Sequence, residues 1–251
     1  MSEESFSAWL RAQCADEWEA VAGHPFAAAI TTGDADMRHY LEQDFLFVDS
    51  FTALLGAAVA SADTFAARVP YGQFLGQVAT AEEKTYFHRA LAALGGSTEA
   101  APEPVTAEFR ALMDEVRAAQ DYPLIVAVLC VAEWSYLSWA ERAEEPLPAT
   151  FVHREWIDLH EGPEFRAWVD FLRGELDRLG PALPEERAAQ VLATFRRAVA
   201  LERRFFDMAD ADMAVTDMAV TDMADADVAD ADVADADVAD ADVADADVAS
   251  R

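Results

Sequence analysis

The stretch "AVLCVAEWSYLSWAERA", residues 127–143, decides the fold class. Together with "QDYPLIV" (120–126) it opens on Pro123 and is apolar at every angle of an α-helix through its first half. A helix that is apolar all round belongs inside a helical protein rather than on its surface. Two residues stand out on it, Cys130 as a candidate nucleophile and Glu133 as a candidate catalytic acid.

Working outward, apolar residues recur at helical spacing almost everywhere, and no segment alternates as a strand would. The spacing predicts helices near 4–21, 35–61, 72–94, 106–119, 123–143, 150–160, 163–179 and 185–207. Proline and glycine clusters such as "AGHPF" (22–26), "RVPYG" (68–72) and "LGGSTEAAPEP" (94–104) separate them. That many helices can enclose one core, so residues 1–207 are expected to form a single all-α bundle.

Residues 208–251 read differently. Met213, Met218, Met223, Val228, Val233, Val238, Val243 and Val248 recur at a period of five, which suits neither helix nor strand. Small residues with frequent aspartates bury too little apolar surface to offset the entropy of ordering, so this acidic low-complexity tail is expected to be disordered.

The chain carries 48 acids against 18 lysines and arginines, a net charge of −30. Fifteen of the acids and one of the bases lie from Asp207 onward, which leaves residues 1–206 at −16. Such an excess repels nucleic acid and anionic membranes, so neither is an expected partner. Lys84 is the single lysine, a balance seen in proteins that stay soluble in concentrated salt. The two cysteines, Cys14 and Cys130, stand far apart and outside any Cys-x-x-Cys pair, which argues against a disulfide framework or a zinc site. The acidic start lacks a signal-peptide core, and no apolar run reaches the roughly 18 residues of a membrane span, so a cytoplasmic protein is expected.

Three acids fall on apolar helix faces. On a wheel, Asp44 lies within about 40° of Met37, Tyr40, Val48, Phe51 and Leu55. Glu133 shares a face with Val126, Leu129, Leu137 and Ala140, and Glu202 with Val191, Phe195, Ala198 and Phe206. A lone buried carboxylate is costly, so each must be paired, protonated or turned to a polar cavity. Aromatic residues accompany all three: Tyr40 and Phe47 near Asp44, Tyr136 and Trp139 after Glu133, Phe205 after Glu202. That mixture suits a flat, polar-edged heterocycle. A carboxylate-bridged metal pair fits poorly, because the Glu-x-x-His positions read Glu133-x-x-Tyr136 and Glu202-x-x-Phe205.

The motifs around these acids resemble the TenA family, the thiaminase II-like proteins of thiamin pyrimidine salvage. "HPFAAAITTGDADMRHYLEQDFLFVDSF" (24–51) is similar to that family's opening, "REWIDLHEGPEF" (154–165) to its Trp-Ile segment, and "ALERRFFDMA" (200–209) to its terminal Glu-x-x-Phe-aromatic motif. The resemblance implies a haem-oxygenase-like helical bundle assembled as a homo-oligomer, a tetramer or dimer, and calls for no cofactor or metal. Family members with a catalytic cysteine carry it four residues before the tyrosine of this helix, where this chain has Ala132. The resemblance is therefore to the branch that lacks the cysteine and uses a glutamate, matched by Glu133.

By the same transfer Asp44 is implied to hold an aminopyrimidine ring and Glu202 to be the terminal catalytic glutamate. Tyr136 is implied as a pocket tyrosine, with Phe47 and Phe205 as ring contacts. Tyrosine is common in the family where this chain has Phe47 and His160, so the hydrogen bonding of the substrate-binding set (Tyr40, Asp44, Phe47, Tyr136, Trp139, His160, Phe205) is altered. The implied reaction is hydrolysis at the exocyclic methylene of an amino- or formylamino-methylpyrimidine, and both substrates remain open. The rival reading is a non-enzymatic bundle that binds a flat ligand; haem held by His24, in a turn before proline, fits less well.

Overall fold

The computed structural model describes residues 5–211, with the backbone alone described at 81–85. Its axis is helix α8, Tyr122–Ala140, in which every side chain from Ile125 to Leu137 is buried. The Asp121 side chain caps it by accepting from the Leu124 N–H, and Pro123 sits in the first turn, where a missing N–H costs nothing. Each aliphatic side chain so buried contributes roughly 1.5–3 kcal/mol. An all-apolar helix therefore takes the centre, and amphipathic helices wrap it.

α4, Met37–Ser61, crosses the bundle against α8 and is capped by Asp36 through the Arg38 N–H at 3.0 Å. Its buried link to α7, Pro104–Ala119, is the Gln43 side chain. The Gln43 Oε1 accepts from the Glu103 N–H and the Thr106 hydroxyl, both at 2.8 Å, while Nε2 donates to the Ala101 carbonyl at 2.9 Å. α9, Phe151–His160, and α10, Gly162–Leu179, cover another side of α8. The last helix, α11, spans 185–211 and continues past the expected end at 207. It lies along α7 through the ion pairs Arg197–Glu115 and Arg204–Glu108. The remainder of the tail expected to be disordered lies outside the described residues.

The N-terminal half departs from the expected elements. In place of one helix over 4–21 there are two, α1 (Phe6–Ala12) and α2 (Ala15–Ala22), broken at Gln13 and Cys14. The break lets each helix meet different neighbours. α1 docks on α10, where the Ser7 N–H donates to Asp177 at 2.7 Å and Gly180 admits the Phe6 ring. A Cβ at Gly180 would stand 2.3 Å from the Phe6 Cγ, so only glycine fits. α2 instead turns Trp18 onto Trp134 of α8, 4.8 Å between centroids, and Phe195 of α11, 5.9 Å.

A helix absent from the expected set, α3 (Pro25–Thr32), fills the stretch between "AGHPF" and "TTGDAD". His24 caps it, Pro25 begins it, and Gly33 ends it in the left-handed region at φ 85°. α5 (Phe65–Gln77) begins ahead of the predicted 72 and carries Pro70 inside. An internal proline costs about 3 kcal/mol. Offsetting it are the Thr64 cap on Ala67, the buried Tyr71, and Arg68, which donates to the Val59 and Ala62 carbonyls at the end of α4. The chain continues through a π-helical stretch, Val78–Phe87, into α6, His88–Leu94.

Among the described residues two helices, α4 and α8, are long and apolar enough to cross a membrane by length and composition, against the expectation that no run reaches that size. Of the most apolar window of α8, 83% is buried inside the bundle, as befits a core helix, against 39% for α4.

Candidate active site

Three helices wall one small cavity that two of the three acids line. α4 contributes Asp44, Phe47, Val48 and Phe51, α8 contributes Ala132, Glu133 and Tyr136, and α9 contributes Trp156 and His160. The open core is about 40 Å³, enough to hold water. Asp44 and Phe51 follow the helical repeat of α4 as the wheel requires, and Glu133 and Tyr136 stand three apart on α8, on one face. A larger cleft of about 780 Å³ runs along Phe74, Pro163 and Trp168, but its acids Asp158, Glu161 and Glu164 are not buried. Chemistry, not volume, selects the smaller cavity.

The residues expected in the site divide into a wall and a layer behind it. Asp44, Phe47, Glu133, Tyr136 and His160 form the wall. Tyr40, Trp139, Glu202 and Phe205 do not line the cavity but pack against those that do. The Tyr40 and Tyr136 hydroxyls lie 2.6 Å apart. The Trp139 ring stands 5.8 Å from Tyr136 and 6.1 Å from His160, and Phe205 stands 5.8 Å from Tyr40 and 6.3 Å from Phe47. Sequence reading missed Trp156 as a wall residue and took Val48 and Phe51 only as core. Trp156 and His160 lie one turn apart on α9, a spacing that could have paired them.

Glu202, brought in by α11, is 2% exposed, and its Oε1 has no hydrogen-bond partner. Burial, and then the neighbouring Asp44 charge, hold its carboxyl well above the usual range, which favours the protonated form. Burial likewise raises both Tyr40 and Tyr136, which remain phenols. His160 keeps some open surface yet is enclosed by the rings of Tyr136, Trp156 and Phe165. Burial pushes its imidazole down to about 4, against the opposing effect of a bond to the Trp156 carbonyl. The pocket wall thus holds a neutral imidazole and two carboxyl groups, with the Glu202 carboxyl near Asp44 behind it.

Cys130 is fully buried on another face of α8, its thiol pushed up by burial, with Arg173 and Asp177 of α10 the leading charges near it. Ala132 is the residue that reaches the cavity. His24 is occupied: its Nδ1 accepts from the Phe26 N–H at 3.1 Å, and Nε2 lies 3.2 Å from Asp207.

Fold and site together define an all-α bundle with a small cavity walled by two acids among aromatic rings. The chain matches the TENA/THI-4/PQQC family over residues 11–211 and belongs to that family. A thiamine biosynthesis multifunctional protein, ThiED, from Corynebacterium efficiens is 27% identical over 184 residues. The match covers 71% of this chain but 24% of that much longer relative. Among solved structures, a TenA homologue from Pyrococcus furiosus superposes with a TM-score of 0.74 at 17% identity, covering 81% of this chain and 99% of its own. A protein described as a TenA family transcription regulator, from Silicibacter sp. TM1040, gives 0.72 at 21% identity over 83% and 99%. A candidate TenA-like thiaminase from Sulfolobus solfataricus gives 0.67 at 15% over 81% and 94%. These likenesses establish the fold, in agreement with the bundle expected from the motifs.

Proposed function

We propose that the chain is a hydrolase of thiamine-related pyrimidine salvage, acting on a 4-amino-2-methylpyrimidine that carries an aminomethyl group. Water replaces the amine: the methylene C–N bond breaks, a C–O bond forms, and hydroxymethylpyrimidine and ammonium leave. Asp44 holds the amidine-like edge of the ring by charge-assisted hydrogen bonds. Glu133 orients and deprotonates the attacking water, and Glu202 supplies the proton that the departing nitrogen needs. The observation that carries this reading is a buried Glu202, its Oε1 without a hydrogen-bond partner, close to Asp44 and to a cavity walled by Glu133.

Of the two substrates left open by the sequence, the amine is favoured. Asp44 and Glu133 line the cavity, and carboxyl groups suit an aminomethyl nitrogen that becomes cationic on taking the Glu202 proton better than a neutral formylamino group. In the same reading the protein works in the cytoplasm as a homo-oligomer, a dimer or tetramer.

Incubation of the purified protein with the aminomethyl- and formylaminomethyl-pyrimidines, followed by mass spectrometry and ammonium release, tests the proposal. Hydroxymethylpyrimidine should form with one ammonium each, faster from the amine. Tight binding without turnover would instead make the chain a carrier or regulator, the role by which the Silicibacter relative is described.

A further inference from the structure

His160 is held in one orientation and one tautomer. Its Nδ1 lies 2.8 Å from the Trp156 carbonyl, one turn back on α9. A carbonyl only accepts, so the ring proton is on Nδ1 and the lone pair is on Nε2. The ring is wedged among Tyr136, Trp156 and Phe165 at centroid distances of 4.8, 4.4 and 5.3 Å, and a half-turn about its axis would lose the Trp156 bond. Nε2 has no partner among the described residues, yet it is not among the buried atoms sealed from open space. Burial keeps the imidazole neutral at pH 7, so this nitrogen stays an acceptor across the physiological range.

We infer that His160 determines specificity by accepting, at Nε2, a hydrogen bond from the ligand substituent beside it, so that the pocket demands a donor there. The inference rests on the pyrimidine hydrolase reading and deepens it. A leaving amine offers N–H and the product offers O–H, so one acceptor serves both ends of the reaction. Tyr136 also borders the cavity, and its hydroxyl shares a 2.6 Å hydrogen bond with Tyr40. A substituent that can only accept, such as an ether, would leave two lone pairs facing each other, a loss of both the bond and its desolvation cost.

Calorimetry on the full chain at pH 7, with the hydroxymethyl and methoxymethyl forms of 4-amino-2-methylpyrimidine, tests this without turnover. The hydroxymethyl ligand should bind about tenfold or more tightly, the usual worth of a buried hydrogen bond with its partner left unsatisfied. His160→Tyr, which supplies an O–H donor, should restore the ether and shrink that ratio; His160→Phe should shrink it by weakening the alcohol. A ratio unchanged in both variants would mean that the bulk of the methyl group sets it, and the inference falls. Equal binding of the pair by the wild-type chain also overturns it, with the pyrimidine reading intact and without recourse to any variant. Binding of neither ligand overturns both.

Discussion

Replacing Glu202 by glutamine tests the centre of the proposed chemistry. The side chain is enclosed, one of its oxygens has no partner, and burial with the Asp44 charge favours its protonated form. Glutamine is a close copy of the neutral acid in shape and polarity, so the bundle should fold, yet it cannot pass a proton. Loss of a general acid–base group lowers kcat by about two to four orders of magnitude. At about 1.4 kcal/mol per tenfold, that is a barrier raised by roughly 2.7–5.5 kcal/mol. KM should change much less, because the ring is held by Asp44.

The same substitution has a thermodynamic signature. A carboxyl raised by folding binds its proton more tightly in the native state than in the unfolded chain, where its pKa is about 4.3. The stability it contributes is fully present below that value and is lost as pH rises through the folded pKa, at about 1.4 kcal/mol per unit of elevation. The variant has no such proton to lose. Urea denaturation from about pH 5 to pH 8, above the unfolded carboxyl pKa, should show wild-type stability declining relative to Glu202→Gln. Turnover within about threefold of wild type, together with parallel stability curves, would refute the assignment of Glu202 as a protonated shuttle.

Asp44→Asn removes charge from the ring contact, so kcat/KM should fall and calorimetric affinity for hydroxymethylpyrimidine should weaken by at least about tenfold, in contrast to Glu202→Gln. Cys130→Ala should leave kcat within about tenfold of wild type, since the thiol lies away from the cavity wall. Gln43→Ala strands the Glu103 N–H, the Thr106 hydroxyl and the Ala101 carbonyl, and should cost roughly 2–4 kcal/mol in urea unfolding. Deleting 212–251 should preserve the far-UV circular dichroism per helical residue and the activity, because the wall and its backing end with α11.

What could be read from the sequence follows from period and length. α8 and α4 are long enough for their faces to be averaged, and the wheel turned Asp44, Glu133 and Glu202 inward, where all three are buried. α3 spans barely two turns, too few for a period, and the signals that mark it are caps: His24, Pro25 and Gly33. Pro70 reads as a breaker, but Thr64 and Arg68 hold the helix together around it through contacts that propensity does not contain. A wheel also cannot tell which inward residues meet a cavity and which meet another ring. Trp139 and Trp156 are both inward aromatics, and only the crossing of α8 and α9 puts Trp156 on the wall and Trp139 behind it. Burial is a local property of a face; lining a site is a property of three faces at once.

The wholly buried course of α8 has a bearing on how a ligand arrives. Amides between Ile125 and Leu137 should exchange with solvent chiefly when the bundle as a whole opens, so Glu133 and Tyr136 are mounted on a helix expected to exchange slowly. The floor of the cavity is therefore a fixed reference, against which the more exposed α4 and α9 must yield. Ligand binding should protect amides on those two helices while leaving the exchange of α8 tied to global stability. Access and chemistry then reside on different helices, and a substitution could alter the rate of admission without displacing either acid from its place on the floor.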